Sequence, residues 1–175
     1  MGILICGLNG VGKSTVGRAL AARLGWRFLD NEDLYFPKTD GDYVFSHPRG
    51  KDEVIRLLEE KTAEDSRFVF AAVRGDYGEK LPASLDCAIL VEVPREARLA
   101  RVRARSAEKF GRRIEAGGDL AERENAWFDQ VERRPEDYVT GWLEKLSCPL
   151  IRIDGTRPVE ENVEYLLKRI APAEE

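Results

Sequence analysis

Residues 7–14, Gly7-Leu8-Asn9-Gly10-Val11-Gly12-Lys13-Ser14, carry the complete spacing G-x-x-x-x-G-K-[ST], directly behind the apolar run Ile3-Leu4-Ile5-Cys6. Phosphate binding is the chemistry those types permit at that spacing. Glycines let successive backbone N–H groups curl around an oxyanion, a lysine supplies a point charge for β- and γ-phosphates, and the next hydroxyl ligates Mg²⁺. The residues expected to meet a nucleotide are Gly7, Asn9, Gly10, Val11, Gly12, Lys13, Ser14 and Thr15; Lys13 is also a catalytic candidate and Ser14 a metal ligand. The motif needs a strand before it and a helix after it. Both are in the pattern: Val16, Leu20 and Leu24 fall on one helical face, and the N-terminus of that helix favours anions as well.

A second chemical signal lies far along the chain. Residues 95–113 hold Arg95, Arg98, Arg101, Arg103, Arg105, Lys109, Arg112 and Arg113 against only Glu96 and Glu108, in a protein whose net charge is −4. Most of these side chains read as a solvated helix face. Arg101 and Arg105 stand one turn apart on the same face, and phosphoryl transfer needs fixed positive charge over the γ-phosphate, so these two are the catalytic candidates of the group. Gly111, Gly117 and Gly118 interrupt the helical pattern before it resumes at 120–133, which makes about 106–120 a candidate lid.

The elements that must position these residues alternate, as in an α/β domain with a parallel sheet. Strands are expected at 2–6, 26–29, 68–73, 88–93 and 150–153, the third apolar throughout as a central strand should be. Helices are expected from the phosphate loop to Gly25, a natural C′ residue, over 52–64, and after Pro158 with Val159, Val163, Leu166, Leu167 and Ile170 inward. Residues 35–50 show turn residues and scattered aromatics without a period and read as a long loop, whose Tyr35, Phe36, Tyr43 and Phe45 pin it to the body or line a pocket; residues 174–175 read as a loose tail. One domain is expected over 1–175, with an acceptor-side loop and helix at about 34–66.

Composition narrows the setting. No apolar run approaches the roughly 18 residues of a membrane span, no signal peptide is readable, and Cys6, Cys87 and Cys148 are widely spaced and odd in number, so buried thiols in the cytoplasm are expected. The acidic balance offers no field for nucleic acid polymers or anionic membranes. His47, the only histidine, has no dyad or metal spacing around it.

On these motifs the chain resembles the small P-loop kinases: shikimate kinase, gluconate kinase and the adenylate kinase-like nucleoside monophosphate kinases. Arg101-Val102-Arg103-Ala104-Arg105 is similar to the R-h-x-x-R stretch (h apolar) that introduces the lid in nucleotide kinases. Phe28-Leu29-Asp30-Asn31-Glu32-Asp33 is similar to the F-h-D-x-D stretch of shikimate and gluconate kinases, with Glu32 at the second acid and Asp33 one residue late. Arg74-Gly75-Asp76 occupies the place of a glycine triplet in shikimate kinases and of a D-G-[FY]-P-R-like motif in nucleotide kinases, and fits neither. The resemblance implies a three-layer α/β/α P-loop NTPase fold with a five-stranded parallel sheet of order 2-3-1-4-5, ligands at the carboxyl ends of the strands, and Gly155-Thr156 near the adenine ring. It further implies Asp30 in the Mg²⁺ shell, Asp33 or Glu32 at the acceptor hydroxyl, and Arg74 and Gly75 on the substrate side. Helix capping is the plain alternative for the acids, and Asp76 is a rival metal-side acid.

The expected activity is transfer of the γ-phosphoryl of ATP to a small molecule, in a monomer or homodimer. A nucleoside monophosphate acceptor would engage arginines, with Arg49, Arg56 and Arg74 in place, whereas a hydroxy acid or polyol needs a carboxylate at a hydroxyl; both sets are present. A GTPase would carry N-K-x-D, which is absent, and no strand ends in the apolar run plus Asp of a motor-type ATPase. A nucleotide sensor that turns over no acceptor is the alternative from another class.

Overall fold

The computed structural model describes residues 1–37 and 43–170, so residues 38–42 of the long loop and the tail at 174–175 lie outside the described residues. Five parallel strands, β1 Gly2–Cys6, β2 Arg27–Asp30, β3 Phe68–Ala71, β4 Leu85–Glu92 and β5 Leu150–Asp154, form one sheet in the order β2-β3-β1-β4-β5. That is the expected sheet. The central strands are apolar because helices cover both faces: β1 and β3 are buried at every position.

The helices are α1 Lys13–Leu24, α2 Asn31–Tyr35, α3 Lys51–Glu64, α4 Lys80–Ala83, α5 Arg95–Phe110, α6 Ala121–Arg133, α7 Thr140–Leu143 and α8 Val159–Ile170. α1 ends at Gly25, whose left-handed φ of 66° lets its N–H close the last turn onto Ala21 and Ala22. α8 packs against α1, with Val163 and Leu166 buried, and the side chain of its buried Asn162 donates to the Asp154 carbonyl at 2.9 Å, fastening the helix to the end of β5. Cys6 and Cys87 lie buried in strands and Cys148 just before β5; all three are free thiols.

Several boundaries differ from expectation. β2 starts at Arg27 instead of residue 26, because Trp26 still belongs to the helix stop, its N–H on the Ala21 carbonyl. β3 stops at Ala71, yet Ala72 N–H reaches the Ile5 carbonyl at 3.0 Å and Val73 accepts from Gly7, so the apolar run continues as backbone that supports the phosphate loop. β4 begins three residues early, at Leu85. α2, α4 and α7 have four or five residues each, too few for a period to be read. The segment expected as a lid is divided: α5 runs on to Phe110, a 3₁₀ turn covers Gly111–Ile114, and an Arg113–Asp119 pair at 2.6 Å closes the turn onto buried Leu120.

The layer between β1, β3 and the helices is the core, and Leu4 is fully buried within it. Leu4→Ala is expected to lower unfolding free energy by about 2–5 kcal/mol, read as a lower urea midpoint at unchanged slope.

Candidate functional site

At the carboxyl end of β1 the chain turns through Gly7, Gly10 and Gly12, with φ of 145°, 84° and 93°. Those values are open to glycine and strained for other residues. Gly10 has a second reason to lack a side chain: a Cβ there would collide with the carbonyl of Arg98, so α5 lies directly on the loop. α1 then opens at Lys13 with no side-chain cap on its first amides and no acid in its first turn, unlike α3 and α8, which carry two acids each there. An uncapped first turn without acids fits an anionic ligand. Val11, on the same loop, is buried.

Lys13 Nζ donates to the Leu8 carbonyl at 3.0 Å. Burial pushes its pKa down to about 8, partly offset by Cys6 and Asp30 and reinforced by Arg134 and Arg105. The Cys6 thiol is itself pushed up to about 12 by burial and stays neutral, which leaves Asp30 as the counter-charge at pH 7. The structure thus gathers Lys13, Asp30, Arg105 and Arg134 around one spot at the strand ends.

Asp30 does what the capping alternative foresaw and still faces the lysine. Its Oδ1 accepts the Glu32 N–H at 3.0 Å as the N-cap of α2, and its Oδ2 lies 3.4 Å from Arg18. Among the described residues no cluster of three or more His, Cys, Asp or Glu could hold a metal alone. An Asp30 carboxylate and a Ser14 hydroxyl are nonetheless a donor set that suits Mg²⁺, which takes one or two protein oxygens and completes its shell with phosphates and water.

Arg101 and Arg105 diverge despite sharing a helix face. Arg105 Nη2 reaches both carboxylate oxygens of Glu32, at 2.8 and 3.0 Å, and Lys109 Nζ stands 3.7 Å from the same group. Arg101 Nη1 donates instead to the Gly155 carbonyl at 3.0 Å. Gly155 is pressed onto the phosphate loop, a Cβ there standing 2.7 Å from the Val11 carbonyl oxygen, and Thr156 is tied by N–H and hydroxyl to Asp154. Arg101 therefore belongs with the Gly155-Thr156 turn, and Arg105 with Lys13 and the acids.

Asp33 lies exposed on α2. Arg74 pairs with Asp76 at 2.8 Å, Lys51 approaches Asp76 at 3.8 Å, and the Arg74 guanidinium stacks on Tyr138 at 4.0 Å. Gly75 faces inward, where a Cβ would stand 2.6 Å from the Trp142 ring and 2.9 Å from Leu4. Of the other arginines, Arg56 is taken by Glu60 at 2.6 Å on the surface and Arg49 by the Leu34 carbonyl at 2.7 Å. The aromatics of the long loop pin it down: Phe36 and Phe45 meet at 5.0 Å, Tyr43 stacks near Phe110 at 5.2 Å, and the Tyr43 hydroxyl donates to the buried Glu124 carboxylate on α6. His47 makes a local contact with Ser46 at 2.8 Å.

Arg134 is the site residue that motif reading missed. It is the C-cap of α6, its backbone extended at φ −64° and ψ 125° as a residue before proline must be. That turn sends its Nη1 to the Asn9 side chain on the phosphate loop, while its guanidinium also stacks on Tyr138 at 5.1 Å. Burial pushes its pKa below the usual range, with Arg74 and Arg98 adding to the effect and Tyr138 opposing it. The only trace in the sequence is Arg-Pro at a helix end, 120 residues beyond the loop it serves.

Comparison with known proteins gives a family. Residues 3–125 match the model of the AAA domain family. The chain belongs to that family. The chain is also similar to an uncharacterised protein, YqaC of Bacillus subtilis, 28% identical over 173 residues and 94% of both chains. Among solved structures, shikimate kinase of Aquifex aeolicus aligns over 97% of this chain and 96% of its own at 17% identity and a TM-score of 0.55. Deoxyadenosine kinase of M. mycoides with bound dATP aligns over 97% and 99% at 12% identity and a TM-score of 0.61. The family member described here thus has the small P-loop kinase fold that its motifs resemble, and no helix among its described residues is long and apolar enough to cross a membrane.

The Lys13 environment makes a pH prediction. Its folded pKa of about 8 lies below the ordinary value of 10.5. Between those values the unfolded chain holds a proton that the folded one lacks, so this group's contribution to stability rises with pH across that window. Lys13→Met is expected to be more stable than the parent at pH 7, and the gap to close as pH approaches about 10.5, followed by urea unfolding at each pH.

Proposed function

We propose that this protein transfers the γ-phosphoryl group of ATP to a small acceptor with the help of Mg²⁺. The observation that carries the reading is the convergence of Lys13, Arg105 and Arg134 on one phosphate loop, with Asp30 beside them. Such transfer is catalysed chiefly by positioning and by charge fixed over the migrating group, which is what three clustered cations supply.

Backbone amides of residues 9–14 hold the phosphates, Lys13 neutralises charge developing between the β- and γ-phosphates, and Arg105 releases Glu32 to take the γ-phosphate. Ser14 and Asp30 would hold Mg²⁺, which would neutralise phosphate charge that otherwise repels the incoming nucleophile. Arg101 and the Gly155-Thr156 turn border the base. On the other side, an acceptor oxygen attacks the γ-phosphorus as the bond to the β–γ bridging oxygen breaks. When the acceptor is a hydroxyl, its proton passes to Asp33, or to Glu32 once Arg105 has left it. Arg74 and Lys51 share Asp76, and the Arg74 Nε is buried without a hydrogen-bond partner. An acceptor bearing an anionic group would take those cations over. The segment at about 106–120 serves as the lid, and the protein works as a cytoplasmic monomer or homodimer.

The test is ADP formation with Mg²⁺ against nucleoside monophosphates, nucleosides, shikimate, gluconate and related hydroxy acids. Stimulation by one acceptor, lost in Lys13→Ala, is the expected result; ATP binding with stimulation by none would make the protein a nucleotide sensor. With a hydroxyl acceptor found, Asp33→Asn is expected to lower kcat by about 10²–10⁴, and a loss below about tenfold would remove Asp33 from the base role.

A further inference from the structure

Arg98 is the largest fully buried side chain among the described residues, 1% exposed, and two of its nitrogens, Nε and Nη1, have no hydrogen-bond partner. A buried guanidinium with a single partner depends heavily on that partner. Here it is Glu136, which accepts from Arg98 Nη2 and which Arg95 Nε approaches at 3.5 Å. Glu136 itself is 58% exposed and lies outside every motif. Its position in the chain gives it consequence: only Pro135 separates it from Arg134.

The three contacts make a closed figure. The Arg98 carbonyl lies on Gly10 of the phosphate loop, the Arg98 guanidinium holds Glu136, and Arg134 returns to Asn9 of the same loop. Pro135 fixes φ between the two ends, and its carbonyl accepts the Tyr138 N–H at 3.2 Å, so the turn has little freedom to move Arg134 independently of Glu136. We infer that Glu136 is a positioning residue: anchored on buried Arg98, it sets the turn that places Arg134 on Asn9 of the phosphate loop, the place proposed here for the γ-phosphate. This rests on the ATP-dependent reading above. Arg134 then recognises the third phosphate of a nucleoside triphosphate, and Glu136 acts only through it.

The measurement is calorimetric affinity for ATP and for ADP, both with Mg²⁺, in the parent, Glu136→Gln, Arg134→Ala and the double variant. Loss of a charge-assisted contact to the γ-phosphate is expected to lower the ATP-to-ADP affinity ratio about tenfold or more in either single variant. The double variant is expected to be no worse than Arg134→Ala alone, the mark of one residue acting through another. A general loosening of the fold would weaken both nucleotides alike and add in the double variant. Should Glu136→Gln fail to fold, Arg98→Met with Glu136→Gln removes both charges and leaves the Arg98 carbonyl on Gly10; it is expected to fold and to show the same fall in ratio. An unchanged ratio in the variants, or additive losses, would overturn the inference. A parent protein that binds neither nucleotide would overturn the ATP reading and the inference with it, and is a separate result from a parent that binds both while Glu136 makes no difference.

Discussion

The phosphate loop has no room for a side chain at Gly10, and the rest of the molecule is arranged around that contact. Because the backbone of α5 at Arg98 rests on the loop itself, the helix that carries Arg101 and Arg105 is set at a fixed height over the nucleotide site. A second close approach, Gly155 on Val11, brings the end of β5 to the other side of the same loop. Two missing methyl groups thus allow a turn of backbone to be gripped by a helix and a strand end, while its first helical amides are left without a protein cap. A rigid loop of oriented N–H groups is worth most to catalysis when nothing has to reorganise around it as charge develops.

Charge follows the same geometry. The chain is acidic overall, yet the surroundings of Lys13 concentrate cations, and the lysine's lowered pKa reports the strain of burying it there, which Asp30 offsets only in part. Glu32 relieves part of that strain by lying against Arg105 and Lys109, and Asp76 does the same for Arg74 and Lys51. These carboxylates make the cluster a balanced set of ion pairs instead of a bare patch of positive charge, and on the proposed reading phosphate oxygens compete for their places. Partly exposed pairs of this kind are worth little individually, which makes them easy to exchange for a ligand.

Much of this was legible from residue types. The glycine and lysine spacing located the loop, the apolar runs gave all five strands, and the resemblance supplied their order, because a buried parallel sheet leaves long unbroken apolar segments and a phosphate loop tolerates few substitutions. The sequence was less informative where contacts are made across the fold. Arg101 and Arg105 are equivalent by helical spacing, and only the tertiary position of Gly155 and Glu32 separates them. Arg134 reaches Asn9 through a proline turn that no periodicity announces. The short helices α2, α4 and α7 escaped because one turn of helix carries no pattern. Asp30 satisfied both of its readings at once, since one carboxylate oxygen caps α2 while the group as a whole faces Lys13.

The hydrogen bond from Tyr43 to buried Glu124 joins the long loop to the helix that follows the turn at 111–120. Phe45 packs on the Tyr43 ring beside Phe110, so these two segments share one contact. A buried carboxylate left without its partner is costly, so loss of this one hydroxyl would be felt on α6 as well as on the loop. The hydroxyl of Tyr43 is thus the partner that lets a carboxylate stay buried at position 124, 81 positions further along the chain.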